Sequence, residues 1–498
     1  MNTSHAVPVI VGVGQLLQRL EDPREAAEPL EMMISVLEQA GQDSGAPKLL
    51  QRADSIYVVR GAWAYGNPGR VIARRLGATP EETVGTPYGG NFAQACVIDA
   101  AREIRAGRRE VVLIAGAEIG RTSGQAQRQG IELSESEAPG APDRSIADNK
   151  AIFHDAELAR GMNSASDIFA IIDSAIRFAG GESLEAHALR LSELWAGFNR
   201  VARDNPHAWI RKPYTAEEIG SAGPGNPMIS FPYTRLMNAN ARVDMAAGVV
   251  LCSLATAREA GVPDEKLVFM QAATEANDVT FLSTRMDFDR SPAVRIAGGR
   301  VLELAGKTIE QIDHFDLYSC FPSSVQVAAT ELGIPEDRTL TVTGGLTFGG
   351  GPLNSATLHS IARMAEVVRG DRGSTGLVHG NGGWLAKHAF VVYSTDPPED
   401  GFRYENLQEA VDALPSREAL VDWEGPVTLE AYTVAHSSGA PRIAHVACLT
   451  DDGRRSWGTV EDPDVMKAMM HEEFCGRRGR LDGHGKLSID RVQARPDA

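Results

Sequence analysis

One plan occurs twice in this chain: a glycine cluster, then a helical segment, then an apolar strand. That repetition limits the fold more than any other feature. In the first copy Gly85, Gly89 and Gly90 lead into Phe92 to Arg105, whose small and apolar positions include Ala95, Val97, Ile98, Ala101 and Ile104. A strand-like run, Glu110 to Ile114, follows and ends in the small residues of Ala115 to Glu118. In the second copy Gly344, Gly345, Gly349, Gly350 and Gly351 precede Asn354 to Val368, with Leu358, Ile361, Ala362, Ala365 and Val368 at helical spacing. A strand-like run, Thr375 to Val378, and a closing cluster of Gly380, Gly382 and Gly383 complete it. The simplest account is an internally duplicated α/β unit. Val111 to Ile114 is apolar at every position, as a strand buried on both faces requires. Glycine is costly to order, so such clusters predict tight turns or close approach of backbone to another group. Two of them beside helix starts and strand ends predict a site lined by main chain.

Length and composition bound the remainder. With 498 residues, 43% hydrophobic and 23% charged, the chain is globular and too long for one core. No run approaches the ~20 apolar residues of a membrane span. The opening MNTSHAVPVIVGVGQ lacks a basic region and cleavage site and reads as a first strand. Cys96, Cys252, Cys320, Cys448 and Cys475 form no CxxC pair, so a reducing cytoplasm is expected. A formal net charge of −17 argues against polyanion binding by the whole molecule. An anionic small molecule can still be held by local dipoles.

Three regions are expected along the chain. Residues 1–255 form the first half, with Gly12 and Gly14 after a short strand, Val9 to Val13. Those glycines resemble a dinucleotide fingerprint, but Leu17 stands where its third glycine belongs. Helices are expected at Ala26 to Ala40 and near Arg70 to Leu76, with a strand at Ser55 to Arg60. Residues 120–233, rich in Arg, Asp, Ser and Ala, read as a helical insertion that covers one face, a lid. The second half, residues 256–397, carries strands at Lys266 to Gln271, Phe315 to Tyr318 and Ala389 to Ser394. A Pro/acidic linker, DPPEDG, introduces residues 402–498. There Val427 to His436, Ile443 to Thr450, Ser456 to Val460 and Lys486 to Val492 read as strands of a small β-barrel, with a helix at Pro463 to Phe474 and an Asp452-Gly453 hairpin. Its charges are nearly balanced and it has no series of aromatic stackers, so nucleic acid is not an expected partner.

The duplicated core, roughly residues 6–396, resembles the thiolase superfamily, five-layered α/β/α/β/α proteins made of two similar halves that handle acyl-CoA. The C-terminal part resembles the OB-type domain that accompanies some lipid-transfer-type thiolases. The whole arrangement resembles the type-1 thiolase-like proteins, often labelled acetyl-CoA acetyltransferases. The resemblance implies a coenzyme A thioester as substrate in lipid metabolism, with no permanently bound cofactor, no metal site and no membrane partner. It also implies pairing through the strand Glu110 to Ile114, an edge that the fused barrel either extends or blocks, giving a monomer or a homodimer.

The family's catalytic motifs are altered here. The nucleophilic Cys position falls on Gly90 in Tyr88-Gly89-Gly90-Asn91. The Gly-His-Pro motif reads Gly350-Gly351-Pro352. The late Cys-x-Gly motif becomes His379-Gly380-Asn381-Gly382, and the Asn-Glu-Ala-Phe motif becomes Tyr318-Ser319-Cys320-Phe321. Cys96 lies further along the first helix, where it reads as a small buried hydrophobe. A Claisen condensation through an acyl-enzyme needs an activated thiolate and an adjacent base, and glycine supplies neither. Retro-aldol cleavage of a β-hydroxyacyl-CoA needs a base on the hydroxyl and donors on the thioester oxygen, but no nucleophile. On that reading Tyr318 is the base, provided its phenol is pushed below its usual pKa of ~10. His379 and the amides of Gly350 and Gly351 serve the oxygen, Asn381 holds either a His379 ring nitrogen or the thioester oxygen, and Gly90, Asn91 and Gly382 join them in binding the CoA substrate. Two alternatives stand beside it: a non-catalytic acyl-CoA-binding protein, and an acyltransferase using another nucleophile, Cys320.

Overall fold

The computed structural model describes residues 7–335 and 337–489. The first half supplies β1 (Pro8–Leu17), β2 (Ser55–Val58), β3 (Glu82–Gly85), β4 (Val111–Ile119) and the short β5 (Arg144–Ser145). The insertion carries β6 (Met228–Ser230) and β7 (Tyr233–Thr234), and the chain returns to the core in β8 (Asp244–Ser253). The second half supplies β9 (Val268–Asn277), β10 (His314–Asp316), β11 (Thr375–Gly382) and β12 (Lys387–Ser394).

The duplication is visible in the strand order β10-β11-β12-β9-β1-β8-β4-β2-β3-β5. Read outward from the centre, each half repeats the same series. β1 is antiparallel to β8, β8 to β4, and β4 is parallel to β2. In the other half β9 is antiparallel to β12, β12 to β11, and β11 is parallel to β10. The halves join where Val9 pairs with Phe269 and Ile10 with Val268.

The helices Phe92–Arg105 and Ala356–Gly370 share one core cluster with strand residues of both halves, including Ile10, Val112, Val249, Val378 and Val391. They form the middle layer. Outside them the Pro29–Asp43 helix covers the first half, and the Pro322–Leu332 helix packs with the second. Helix, strands, paired helices, strands, helix: these are the five layers of a duplicated thiolase fold.

Several elements run further than their sequence signals. β4 continues through the Ala-Gly-Ala-Glu run to Ile119. It lies inside the sheet between β2 and β8, so it is not the edge through which two subunits would pair. β11 extends through Gly380 and Gly382, which are buried strand residues and not turn residues; only Gly383, with φ of 63°, belongs to the following turn. The start of the Phe92–Arg105 helix lies against both: a Cβ on Gly382 would stand 2.2 Å from Asn91 Oδ1, and one on Gly380 a tight 3.1 Å from Gln94 Cβ. The expected helix Pro463 to Phe474 stops at Met469.

Beyond the linker, β13 (Arg403–Asn406) returns to the large sheet and pairs in parallel with β9. The C-terminal domain proper comprises β14 (Glu424–Ser437), β15 (Ala440–Leu449), β16 (Arg455–Val460), β17 (Arg478–Asp482) and β18 (Leu487–Ile489), in the order β16-β15-β14-β17-β18. A parallel bridge between Thr459 and Lys486 brings the two ends of that series together. The last expected strand reached Val492; its residues 490–492 lie outside the described residues.

The insertion ties the domains together. Its helix Ala165–Ala179 packs on β14, Ser174 accepts from the Tyr432 amide at 2.9 Å, and Ser230 on β6 pairs with Ala435.

Gly12 and Gly14 have a packing role. A Cβ on Gly12 would stand 1.9 Å from the Ala40 carbonyl oxygen, and one on Gly14 2.2 Å from that of Val36. The Pro29–Asp43 helix therefore lies directly on the β1 backbone. Gly12→Ala is expected to lower stability by about 1–3 kcal/mol through overpacking, read from denaturant midpoints. Gly299→Ala, at a helical position with open space around it, should be neutral or slightly stabilising.

Candidate active site

Where the two halves meet, the middle-layer helices begin beside the ends of β10 and β11. Thr357 donates to the Gly90 carbonyl at 2.8 Å. Asn354 accepts from the Gly89 amide at 2.9 Å and donates to the Arg60 carbonyl at 2.7 Å. Each half thus holds the other's helix entrance. At the end of β10, buried Asp316 accepts from the Val342 and Thr343 amides at 2.9 and 3.0 Å and from the Thr341 and Thr343 hydroxyls at 2.9 Å. Those bonds fix the start of the glycine-rich loop next to Tyr318. Ser324, in the first turn of the next helix, donates to the Tyr318 carbonyl at 2.8 Å.

Tyr318 is thereby aimed at Gly90. A Cβ on Gly90 would lie 2.1 Å from the Tyr318 hydroxyl oxygen and 2.6 Å from the Asn381 carbonyl oxygen. The space a side chain at position 90 would need is filled by the phenol. The two residues are matched: Tyr318 can lie where it does only because residue 90 has no side chain.

Around this contact opens a cavity of about 1210 Å³. Of the residues singled out from the sequence, Gly90, Tyr318, Cys320, Gly351, Asn381 and Gly382 line it. Gly350, Asn91 and His379 do not. Gly350 faces Met245 and Trp209. Asn91 is buried behind the wall with its Oδ1 against Gly382. His379 is buried within β11; its Nε2 lies 3.0 Å from His388 Nδ1 and its ring stacks on Phe390, with centroids 4.5 Å apart. Burial, reinforced by His388, lowers its pKa and keeps it neutral.

The titratable groups inside the cavity are held protonated. Burial pushes the Tyr318 phenol well above its usual range, with a smaller contribution from Cys320. The residue as a whole is half-buried and lines the cavity. The condition for Tyr318 to act as a base is therefore not met, and the neutral hydroxyl is a hydrogen-bond donor. Burial likewise pushes the Cys320 thiol up to about 12, partly offset by a hydrogen bond with Ser324. The thiolate that a nucleophile requires is scarce at neutral pH. Asn381 is 1% exposed and its Oδ1 has no hydrogen-bond partner among the described residues.

Most of the remaining wall comes from residues that carry no sequence signal. The insertion contributes Phe169, Ile210 and Tyr214, the segment just after it Leu236, and the turn after β11 Trp384. Lys150, Arg235 and Arg242, all exposed, are the cations of the lining, and no Asp or Glu is among the lining residues. The run Asn238 to Asp244 supplies five of these wall positions, Asn238, Ala239, Asn240, Ala241 and Arg242.

Comparison with known proteins places this geometry. The chain superposes with a TM-score of 0.83 on a monomeric SCP2-thiolase-like protein type 1 from Mycobacterium smegmatis, at 28% identity over 98% of this chain and 99% of that one. An Ltp2-ChsH2(DUF35) aldolase shares the fold at a TM-score of 0.61 and 17% identity, covering 78% of this chain and 98% of the other. An acetyl-CoA acetyltransferase from Methanothermobacter thermautotrophicus is 26% identical over 216 residues, which span 38% of this chain and about half, 54%, of that protein. Residues 406–486 match the thiolase-like protein type 1 additional C-terminal domain. The class is thus the thiolase fold with a separate C-terminal sheet domain. Over nearly its whole length the chain is similar to a type-1 thiolase-like protein, and its C-terminal part matches the additional domain of that family.

Two measurements test the site. Gly90→Ala should destabilise the protein by about 1–3 kcal/mol. In a Tyr318→Ala background the same change should cost less, because the hydroxyl contact is gone, so unfolding free energies of the four proteins should be non-additive. Alkylation of Cys320, followed by peptide mass, should be slow at pH 7 and rise about tenfold per pH unit through pH ~10. A rate that levels off above about pH 9 would show a thiol of ordinary acidity.

Proposed function

We propose that this protein binds an acyl-CoA thioester in the cavity and acts on it without an acyl-cysteine at position 90. The observation that carries this reading is the charge pattern of the lining. In a chain of net charge −17, a large cavity with mostly apolar walls carries exposed Lys150, Arg235 and Arg242 and no acidic residue. That pattern suits a ligand with an anionic head and a long apolar tail. The phosphates would lie by the cations, the acyl chain among Phe169, Leu236, Phe321 and Trp384, and the thioester oxygen by the Tyr318 hydroxyl.

The reaction class we assign is retro-aldol cleavage of a β-hydroxyacyl-CoA. The β-hydroxyl passes its proton to a water molecule in the cavity, which later returns a proton to Cα; the Cα–Cβ bond breaks, and a ketone or aldehyde leaves. The electron pair is held as a thioester enolate whose oxygen accepts from Tyr318, and Cα is then protonated. One observation favours a second reading, a carrier that binds acyl-CoA without turnover: no carboxylate lines the cavity, and both Tyr318 and Cys320 are held protonated.

We read the C-terminal domain as an OB-type barrel, supported by its five-stranded order, the bridge that closes it and the helix between β16 and β17. We read the protein as a cytoplasmic monomer. Five unpaired cysteines support a reducing compartment. Among the described residues no helix is long and apolar enough to cross a membrane. The outer edge of β3 is covered by the chain itself, with Val84 pairing with Arg144 and Gly85 with Ser145. Arg144 is anchored there by Glu82 at 2.9 Å and Asp99 at 2.7 Å. A paired edge cannot accept a second subunit's strand.

Incubation with β-hydroxyacyl-CoA, with analysis for free carbonyl product and shortened thioester, separates the readings. The lyase reading expects cleavage, lost in Tyr318→Phe. Tight binding with no product supports the carrier, and no binding of acyl-CoA defeats both. Lys150→Glu with Arg242→Glu should weaken acyl-CoA binding by roughly tenfold at low salt, less at high salt. Light scattering should give a mass near the 53.4 kDa of one chain; twice that mass would show that β5 does not block pairing.

A further inference from the structure

The C-terminal domain contributes no residue to the lining of the cavity, yet it grips a segment that does reach the wall. Arg455, at the start of β16, is fully buried. On one side it makes a two-pronged ion pair with Glu430 on β14, at 2.7 and 2.6 Å. On the other its guanidinium donates to the carbonyls of Ser283 at 3.0 Å, Met286 at 3.3 Å and Arg285. Trp457 donates to the Ser283 hydroxyl at 2.8 Å. The Arg417 backbone amide donates to the Thr284 carbonyl at 2.9 Å, and its side chain to that of Met286 at 2.6 Å. Three residues of the C-terminal domain thus hold 282–286 in one conformation.

Arg285, in the middle of that segment, reaches the opposite way. It is 3% exposed, and its Nη2 donates to the carbonyls of Trp384 and Leu385. Those residues form the turn between β11 and β12, directly after Asn381 and Gly382. Leu385 has a φ of 57°, left-handed backbone that a leucine adopts only when something holds it. Trp384 lines the cavity, its ring 5.0 Å from that of Phe153 and 6.5 Å from that of Phe169.

We infer that Arg455 is a positioning residue, through which the C-terminal domain sets the shape of the cavity's inner wall by way of segment 282–286, Arg285 and Trp384. A planar guanidinium suits the task, because it satisfies a carboxylate and several carbonyls at once. The coupling holds whatever ligand the cavity takes, so it stands apart from the acyl-CoA reading.

The test uses the full chain and two conservative variants. Arg455→Lys keeps a cation beside Glu430 but loses the fork onto the carbonyls, and Arg285→Lys loses the paired carbonyl contact downstream. Hydrogen exchange should show at least tenfold faster exchange of amides 382–388 in Arg455→Lys, with β1 and β8 as protected as in the wild type. Trp384 emission, isolated by subtracting a Trp384→Phe background, should shift in the same variant. Arg285→Lys should reproduce both effects while leaving protection in 424–487 unchanged. Changes confined to 282–286 and the C-terminal domain, with 382–388 and Trp384 emission as in the wild type, would overturn the coupling. A uniform rise that includes β1 and β8 would also overturn it, since that is general destabilisation.

Discussion

The structure turns on the contact between the Tyr318 hydroxyl and the bare backbone of Gly90. Two half-sheets can close on one pair of helices only if the helix entrances come within van der Waals reach of the facing strand ends. At Gly90 and Gly382 a side chain would hold them apart. The contact also decides what the site can do. A side chain at position 90 is excluded by the phenol, and the phenol, surrounded by protein, keeps its proton. What is left at the junction of the halves is a hydrogen-bond donor, main chain, and the unpaired oxygen of Asn381. Such a set can hold an oxygen that gains negative charge, and it is poorly equipped to attack carbon.

Electrostatics separates the cavity from the molecule around it. The surface is acidic overall, whereas the cavity lining carries cations and no carboxylate. On the proposed reading, an amphipathic anion would meet cations and no carboxylate on this wall. The far wall is governed from outside. Arg455 and Arg285 link the C-terminal sheet to Trp384, so the added domain is continuous with the site although none of its atoms line it.

Much of the fold was legible because duplication writes itself twice. The middle-layer helix was placed at Phe92 to Arg105 from its apolar spacing alone, and the structure puts it there. Strand ends were less legible. Gly380 and Gly382 signal a turn to any local reading, but they lie inside a strand with the neighbouring helix against them, and no window of sequence contains that neighbour. The same limit applied at the site. Tyr318, Cys320, Gly90, Gly351, Asn381 and Gly382 fall together because they follow motif positions of the resemblance. His379 does not join them, since strand continuation carries it behind the wall into a pair with His388. Phe169 belongs to a helix of the insertion and Trp384 and Arg242 to segments between strands, and only the folded chain brings them to one surface.

The most direct test of this account is a crystal structure with a non-hydrolysable acyl-CoA analogue bound. The expected result has the diphosphate near Lys150, Arg235 and Arg242, and the carbonyl oxygen of the analogue within hydrogen-bond distance, ~3 Å, of the Tyr318 hydroxyl. No sulfur should lie within bonding reach of the acyl carbon. An analogue seated outside this cavity, or an acyl carbon placed against Cys320 Sγ with the sulfur in line for attack, would contradict it.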